Sequence, residues 1–120
     1  MSKEGKPKMA YAMQLSSLED FAMESEEKAA IYADLIEGYL AKDPRLQSMP
    51  VLSLLCQGLT LSCQMMALAD EAMEEPVFVE DNPEKIMIVE EDMYLLETIA
   101  LSQVYCESQL RNLSISAKLN

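Results

Sequence analysis

The chain of 120 residues contains no histidine and no tryptophan, and it has only three glycines. Histidine is the side chain that most often serves as a general base or a metal ligand near neutral pH. Three glycines are too few for the usual glycine-rich loops that cradle phosphate groups. No acid–base pair suited to catalysis stands out either. We therefore expect a binding protein rather than an enzyme, with no cofactor and no metal site.

Basic residues are also scarce, because nine Lys and Arg stand against 21 Asp and Glu, for a net charge of −12. Proteins that bind nucleic acids or anionic membranes neutralise phosphates with clustered Lys and Arg. We therefore expect no direct contact with a nucleic acid or a membrane. The charge instead favours a partner with a basic surface, unless the carboxylates only keep helix surfaces solvated.

Cysteine use and the first residues predict a cytoplasmic location. Cys56, Cys63 and Cys106 lie in apolar stretches, form no CxxC pair and are predicted to be small buried hydrophobes. Residues 1–6 contain no apolar signal segment. Residues 1–9 include three lysines against one glutamate, which predicts a flexible basic arm before a single helical domain over residues 10–120.

The first helix is predicted to begin near Ser16 or Ser17, because Ser16 and Glu19 have the spacing of a capping box. It should end by Lys42, since Pro44 disfavours helical geometry in the residue before it. Its apolar residues follow a period of 3.6. They are Leu15, Leu18, Phe21, Ala22, Ala29, Tyr32, Ala33, Leu35, Ile36, Tyr39 and Leu40.

The second helix is predicted from about Pro50 to Glu75, with Ser48 or Met49 as its cap. No charge occurs between Leu46 and Ala69, so we expect a helix that is buried on most sides. Its length would also allow it to cross a membrane. Internal polar residues and the acidic end of the segment argue against that alternative. The polar residues are Ser53, Gln57, Thr60 and Gln64.

Two short apolar runs, 77–79 and 86–89, flank the turn-like segment 80–85 and predict a β-hairpin or an extended excursion. In the alternative, Asn82 caps the last helix and Pro83 is its first residue. If the hairpin or extended excursion is present, the last helix should cover about 90–117. Its heptad-like seam comprises Leu96, Ile99, Gln103, Cys106, Leu110, Leu113 and Ala117. Tyr94, Leu101, Val104 and Tyr105 lie on other faces, so the first half of the helix is expected to be buried on two sides.

These elements predict a mainly α fold, a small bundle of three long helices with a short β-hairpin or extended excursion before the last helix. Three helices leave apolar surface uncovered, which a homodimer or a bound partner would cover. We therefore predict an acidic adaptor or chaperone-like module that binds a partner helix or a basic segment. The predicted partner-binding residues are Leu110, Leu113, Glu71, Glu74, Glu75 and Asp92.

The alternative function is inhibition of a DNA- or RNA-binding protein by mimicry of nucleic-acid charge. Such an inhibitor would use the carboxylates of the first helix and of the acidic stretch from Asp70 to Asp92. A mimic needs carboxylates spread over a surface at the spacing of phosphates, and the sequence alone does not show whether the two acidic regions align.

Overall fold

The computed structural model describes residues 10–44 and 48–113 of the chain. Over these residues the protein is mainly helical, with three long helices and a small antiparallel sheet, which confirms the predicted fold class. The elements in chain order are β1 (Ala10–Gln14), α1 (Leu15–Leu40), α2 (Met49–Glu74), β2 (Phe78–Val79), β3 (Asn82–Val89) and α3 (Glu90–Asn112).

The helices run alternately up, down and up, and α2 packs against both of its neighbours. Leu18, near the start of α1, shares a core cluster with Ala69, near the end of α2. At the other end of the molecule, Leu35 of α1 packs with Val51 in the first turn of α2. Adjacent helices are therefore antiparallel, and the end of α2 lies beside the start of α3.

The start of α1 differs from its prediction. The helix begins at Leu15, and its N-cap is Gln14, whose side chain makes no capping hydrogen bond. The predicted capping box of Ser16 and Glu19 is therefore wrong, because strand β1 leads directly into the helix. The predicted end is confirmed: the helix stops at Leu40, and Lys42 adopts a positive φ of 64° in the turn that follows.

The predicted cap of α2 is confirmed, since Ser48 Oγ accepts a hydrogen bond of 3.2 Å from the backbone N–H of Val51. The helix is less buried than expected, however. Only one of its faces packs on the core, with Leu55 and Met65 among the buried residues. The opposite face is exposed although it carries no charge before Asp70. It presents Ser53, Cys56, Gln57, Thr60, Cys63, Gln64 and Ala67.

The predicted hairpin is present and belongs to a three-stranded sheet with the order β1-β3-β2. Its turn is tighter than expected, because Asn82 already pairs with Val79 and Asp81 takes the positive φ of 63°. Asn82 and Pro83 are strand residues, so the alternative in which they begin the last helix is wrong. Side chains alternate along β3, and Ile86 and Ile88 point into the core.

The first strand was not predicted. It pairs with β3 over five residues, from Ala10 opposite Val89 to Gln14 opposite Lys85. Most of its side chains are exposed, so it lacks the alternation that identifies a strand in a sequence. Its partner strand, distant in the chain, determines its structure.

The predicted seam of α3 forms the inner face of that helix, with Leu96, Ile99, Cys106 and Leu110 buried. The second face that we expected to be buried is exposed instead. The helix ends at Asn112. The predicted continuation to residue 117 lies outside the described residues, as does the predicted basic arm of residues 1–9.

Tyr32 connects all three helices at the centre of the second core cluster. Its ring lies over Gly58 of α2 so closely that a Cβ atom at position 58 would overlap the ring. Its hydroxyl group lies 3.9 Å from the Cys106 sulfur of α3, and that thiol donates to the backbone carbonyl of Leu54 at 3.3 Å. Lys28 of α1 also forms an ion pair with Glu107 of α3.

Candidate protein-interaction surface

A groove of about 470 Å³ lies between α2 and α3. On α2 it extends from Leu61 to Glu71, and on α3 from Leu95 to Ser102. Its surface is mostly apolar, with polar groups at a few positions. The lining residues are Leu61, Gln64, Ala67, Leu68, Glu71, Leu95, Thr98, Ile99 and Ser102.

The groove matches the length of a short helix. Ten residues of α2 rise about 15 Å, which is close to three helical turns. The i, i+3 or i+4 and i+7 side chains of an amphipathic helix extend over a similar length. The groove can therefore hold the apolar face of one partner helix of about this length.

One end of the groove is acidic. Glu71 lines the groove, and Glu74 lines a neighbouring depression of about 500 Å³ with Asp70. Glu75 is the C-cap residue of α2, and Asp92 lies in the first turn of α3. Because α2 ends where α3 begins, the structure brings these four predicted acidic site residues to the same end of the molecule.

The two predicted apolar site residues are placed differently. Leu110 is fully buried in the second core cluster with Val51 and Leu55, so its side chain has no surface to offer a partner. It is a core residue rather than part of a binding surface. Leu113 is the C-cap residue of α3 and is exposed, far from the acidic end of the groove.

The site predicted from the sequence did not include the apolar residues of the groove. A signal existed, because Leu61 and Leu68 lie seven residues apart on α2, as Leu95 and Ser102 do on α3. Residues at that spacing share a helix face. The sequence did not show which face of α2 meets which face of α3, and the groove results from that pairing.

The outward face of α3 carries a second apolar surface, which we call the outer stripe and define as Tyr94, Leu101, Val104 and Tyr105. These side chains are 60–71% exposed. They point away from the buried seam of the same helix, and among the described residues no element packs on them. This stripe is the face that the sequence predicted to be buried.

The cysteines divide into two kinds. Cys56 and Cys63 are exposed on α2, which corrects the prediction that all three are buried, and Cys106 is buried. Burial raises the pKa of the Cys106 thiol above its ordinary value of 9.0, although the hydrogen bond with Tyr32 acts in the opposite direction. Burial also raises the pKa of Tyr32, with a smaller contribution from Cys106. Both groups are neutral near pH 7, which makes Cys106 a poor nucleophile.

Within 10–44 and 48–113, no group of three or more Cys, Asp and Glu side chains is placed to hold a metal ion. Helix α2 has a mean hydropathy of 1.5 over its most apolar window, so by length and composition it is able to cross a membrane. Core helices of soluble proteins pass the same test, and α2 packs between two other helices here.

Comparison of the chain with protein-family models, with curated proteins and with solved structures gives no match. The groove and the outer stripe are therefore the features that indicate a function.

Proposed function

We propose that the protein is a small acidic adaptor or chaperone-like module of the cytoplasm that acts by binding rather than by catalysis. Its ligand is an amphipathic helix of a partner protein, held in the groove between α2 and α3. The observation that carries the proposal is the groove, because it combines an apolar lining with carboxylates at one end.

The apolar part of the groove determines the register of the bound helix. Leu61 and Ile99 form the part of the lining that continues into the core, and Leu95 stands at the edge with 45% of its surface exposed. Apolar side chains spaced three, four and seven residues apart on the ligand would fill this space. Burial of that area supplies most of the binding free energy.

The acidic end determines the orientation of the bound helix. Glu71 and Glu74 follow the apolar part of the groove, and none of the residues that line it is Lys or Arg. A ligand helix with Lys or Arg near one end places those cations beside the carboxylates, whereas an acidic end would be repelled. The proposed ligand therefore has one apolar face and basic residues at one of its ends.

A display library of helical peptides with randomised apolar and charged positions tests this proposal. We expect the selected peptides to share apolar residues at helical spacing and Lys or Arg at one end. Leu95→Asp should weaken their binding at least about tenfold, since a charge at the edge of an apolar groove is poorly solvated. Met23→Asp is the matched control, because Met23 is an exposed apolar residue on α1. An empty selection, or binding that Leu95→Asp leaves intact, contradicts the proposal.

Mimicry of nucleic-acid charge is the second candidate, favoured by the solvent face of α1. Acidic side chains are exposed there from the second turn to the last. An inhibitor of this kind binds a basic protein through many carboxylates, so its affinity falls steeply with salt. Because the groove takes no part in such binding, Leu95→Asp should leave the affinity of a mimic for its partner unchanged. The carboxylates are Glu19, Asp20, Glu24, Glu26, Glu27, Asp34 and Glu37.

A further inference from the structure

The outer stripe of α3 is a surface separate from the groove. Tyr94, Leu101 and Tyr105 have the i, i+7, i+11 spacing of one helix face, and Val104 lies beside them. Among the groove residues of the same helix, Leu95 and Ser102 lie roughly a quarter of a turn away at 100° per residue, whereas Thr98 lies beside the stripe. A ligand in the groove therefore leaves the stripe free for a second contact.

The exposed area of the stripe is sufficient for a protein interface. Two tyrosines, a leucine and a valine at 60–71% exposure leave on the order of 500 Å² uncovered in each copy. Two such faces together bury about 1,000 Å², which is the lower limit for a specific protein–protein interface. An exposed apolar patch of this size is comparable to the largest patch on a typical monomer, and such patches often serve as binding surfaces.

The charges of α3 favour one orientation for a pair of such helices. The first turn carries Glu90, Glu91 and Asp92, and the last turn carries Arg111. In a parallel pair, each acidic turn would lie against its own copy, where like charges repel. In an antiparallel pair, the acidic turns are about 30 Å apart, well beyond the Debye length, and each lies near an Arg111.

We propose that a second copy of this chain packs on the outer stripe, so that two α3 helices pair antiparallel about a two-fold axis near Leu101. Each Leu101 then contacts its own copy, and Val104 lies opposite Thr98 of the other chain. The helix dipoles also oppose each other in this arrangement. Thr98 also lines the groove, so each groove borders the interface, while Leu95, Ile99 and Ser102 stay outside it. The dimer therefore presents two binding sites, and the proposal does not depend on what the grooves bind.

Sedimentation equilibrium of the full chain under reducing conditions tests the interface. With an area at the lower limit, we expect reversible dimerisation with a micromolar dissociation constant. Leu101→Asp should raise that constant at least about 30-fold. Leu40→Asp is the matched control, since Leu40 of α1 is 69% exposed against 71% for Leu101. Circular dichroism of both variants verifies that they are folded.

Cysteine cross-linking tests the orientation, in a chain whose exposed Cys56 and Cys63 are replaced by serine. Leu101→Cys should form a disulfide-linked dimer on mild oxidation, because the axis brings the two copies of this residue together. Tyr94→Cys should not, since its copies are separated in an antiparallel pair, whereas a parallel pair would link both. A chain that stays monomeric at all concentrations, or that dimerises equally well with Leu101→Asp, overturns the proposal.

Dimerisation that is lost with Leu95→Asp instead of Leu101→Asp also overturns it, because the second copy would then occupy the groove. Loss of dimerisation on removal of residues 114–120 would likewise place the contact elsewhere. A linked Tyr94→Cys dimer overturns the antiparallel arrangement.

Discussion

At the scale of single residues, the contact between Gly58 and Tyr32 determines how closely α1 and α2 approach. The tyrosine ring occupies the space that a side chain at position 58 would need, and Tyr32 is only 2% exposed. The sequence showed both residues on predicted helices but gave no sign that they meet, since such a contact depends on the rotation of two helices about their axes.

Gly58→Ala should therefore destabilise the protein, although alanine is the better helix former by about 1 kcal/mol. The added methyl group forces the buried ring to move, and overpacking of this kind costs about 1–3 kcal/mol or more. Urea denaturation measures the difference. Gly38→Ala in α1 is the control, and it should leave stability unchanged or raise it. A Gly58→Ala variant as stable as the wild type would show that the ring does not occupy this space.

The buried thiol of Cys106 should make the protein less stable at alkaline pH. Burial raises the pKa of its thiol in the folded protein above 9.0, so the folded state keeps a proton that the unfolded state releases. The contribution to stability is complete below pH 8 and is lost as the pH rises above about 9, by up to about 1.4 kcal/mol per pH unit. Urea denaturation from pH 7 to 10 should show this decline.

Variants of single residues show which side chain causes the loss of stability at alkaline pH. Cys106→Ala should have a lower stability at pH 7 and a shallower fall at alkaline pH, while Tyr32 adds its own loss above pH 10, since burial raises its pKa too. Cys63→Ala, which removes an exposed thiol, should keep the wild-type slope. Equal slopes for Cys106→Ala and the wild type would contradict this assignment.

At the scale of elements, local signals predicted the helices and long-range contacts determined the rest. Proline at the first helical turn and a serine before it located the start of α2, because both act through the local backbone. The heptad seam of α3 was likewise visible. Strand β1 was missed because it exists through its pairing with β3, and that same connection moved the start of α1 to Leu15.

Ser48→Ala tests the cap of α2. The serine accepts the backbone N–H of Val51, which otherwise has no partner within the helix. Loss of this bond should lower the free energy of unfolding by about 1 kcal/mol, whereas Ser48→Asp should retain most of the stability. The control is Ser16→Ala, since α1 takes Gln14 as its cap and should lose little. A larger loss at Ser16 than at Ser48 would be inconsistent with these helix starts.

At the scale of the whole molecule, the three helices bury two core clusters and leave the groove and the outer stripe uncovered among the described residues. The sequence predicted uncovered apolar surface from the composition alone, but it placed the apolar binding residues at Leu110 and Leu113, beside the acidic ones at Glu71, Glu74, Glu75 and Asp92. The structure buries Leu110 and exposes the outer stripe, because α3 turns its heptad seam inward. The position of the groove required the pairing of α2 with α3, which no local pattern contains.

The central proposal is that the groove binds a basic amphipathic helix. Titration of the isotope-labelled protein with a selected peptide, followed by methyl chemical shifts in NMR spectra, tests it directly. We predict that the largest shifts arise from Leu61, Leu68, Leu95 and Ile99, and that the methyl groups of Met23 and Leu40 on α1 do not shift. Shifts concentrated on α1, or on the outer stripe with the groove unaffected, would contradict the account.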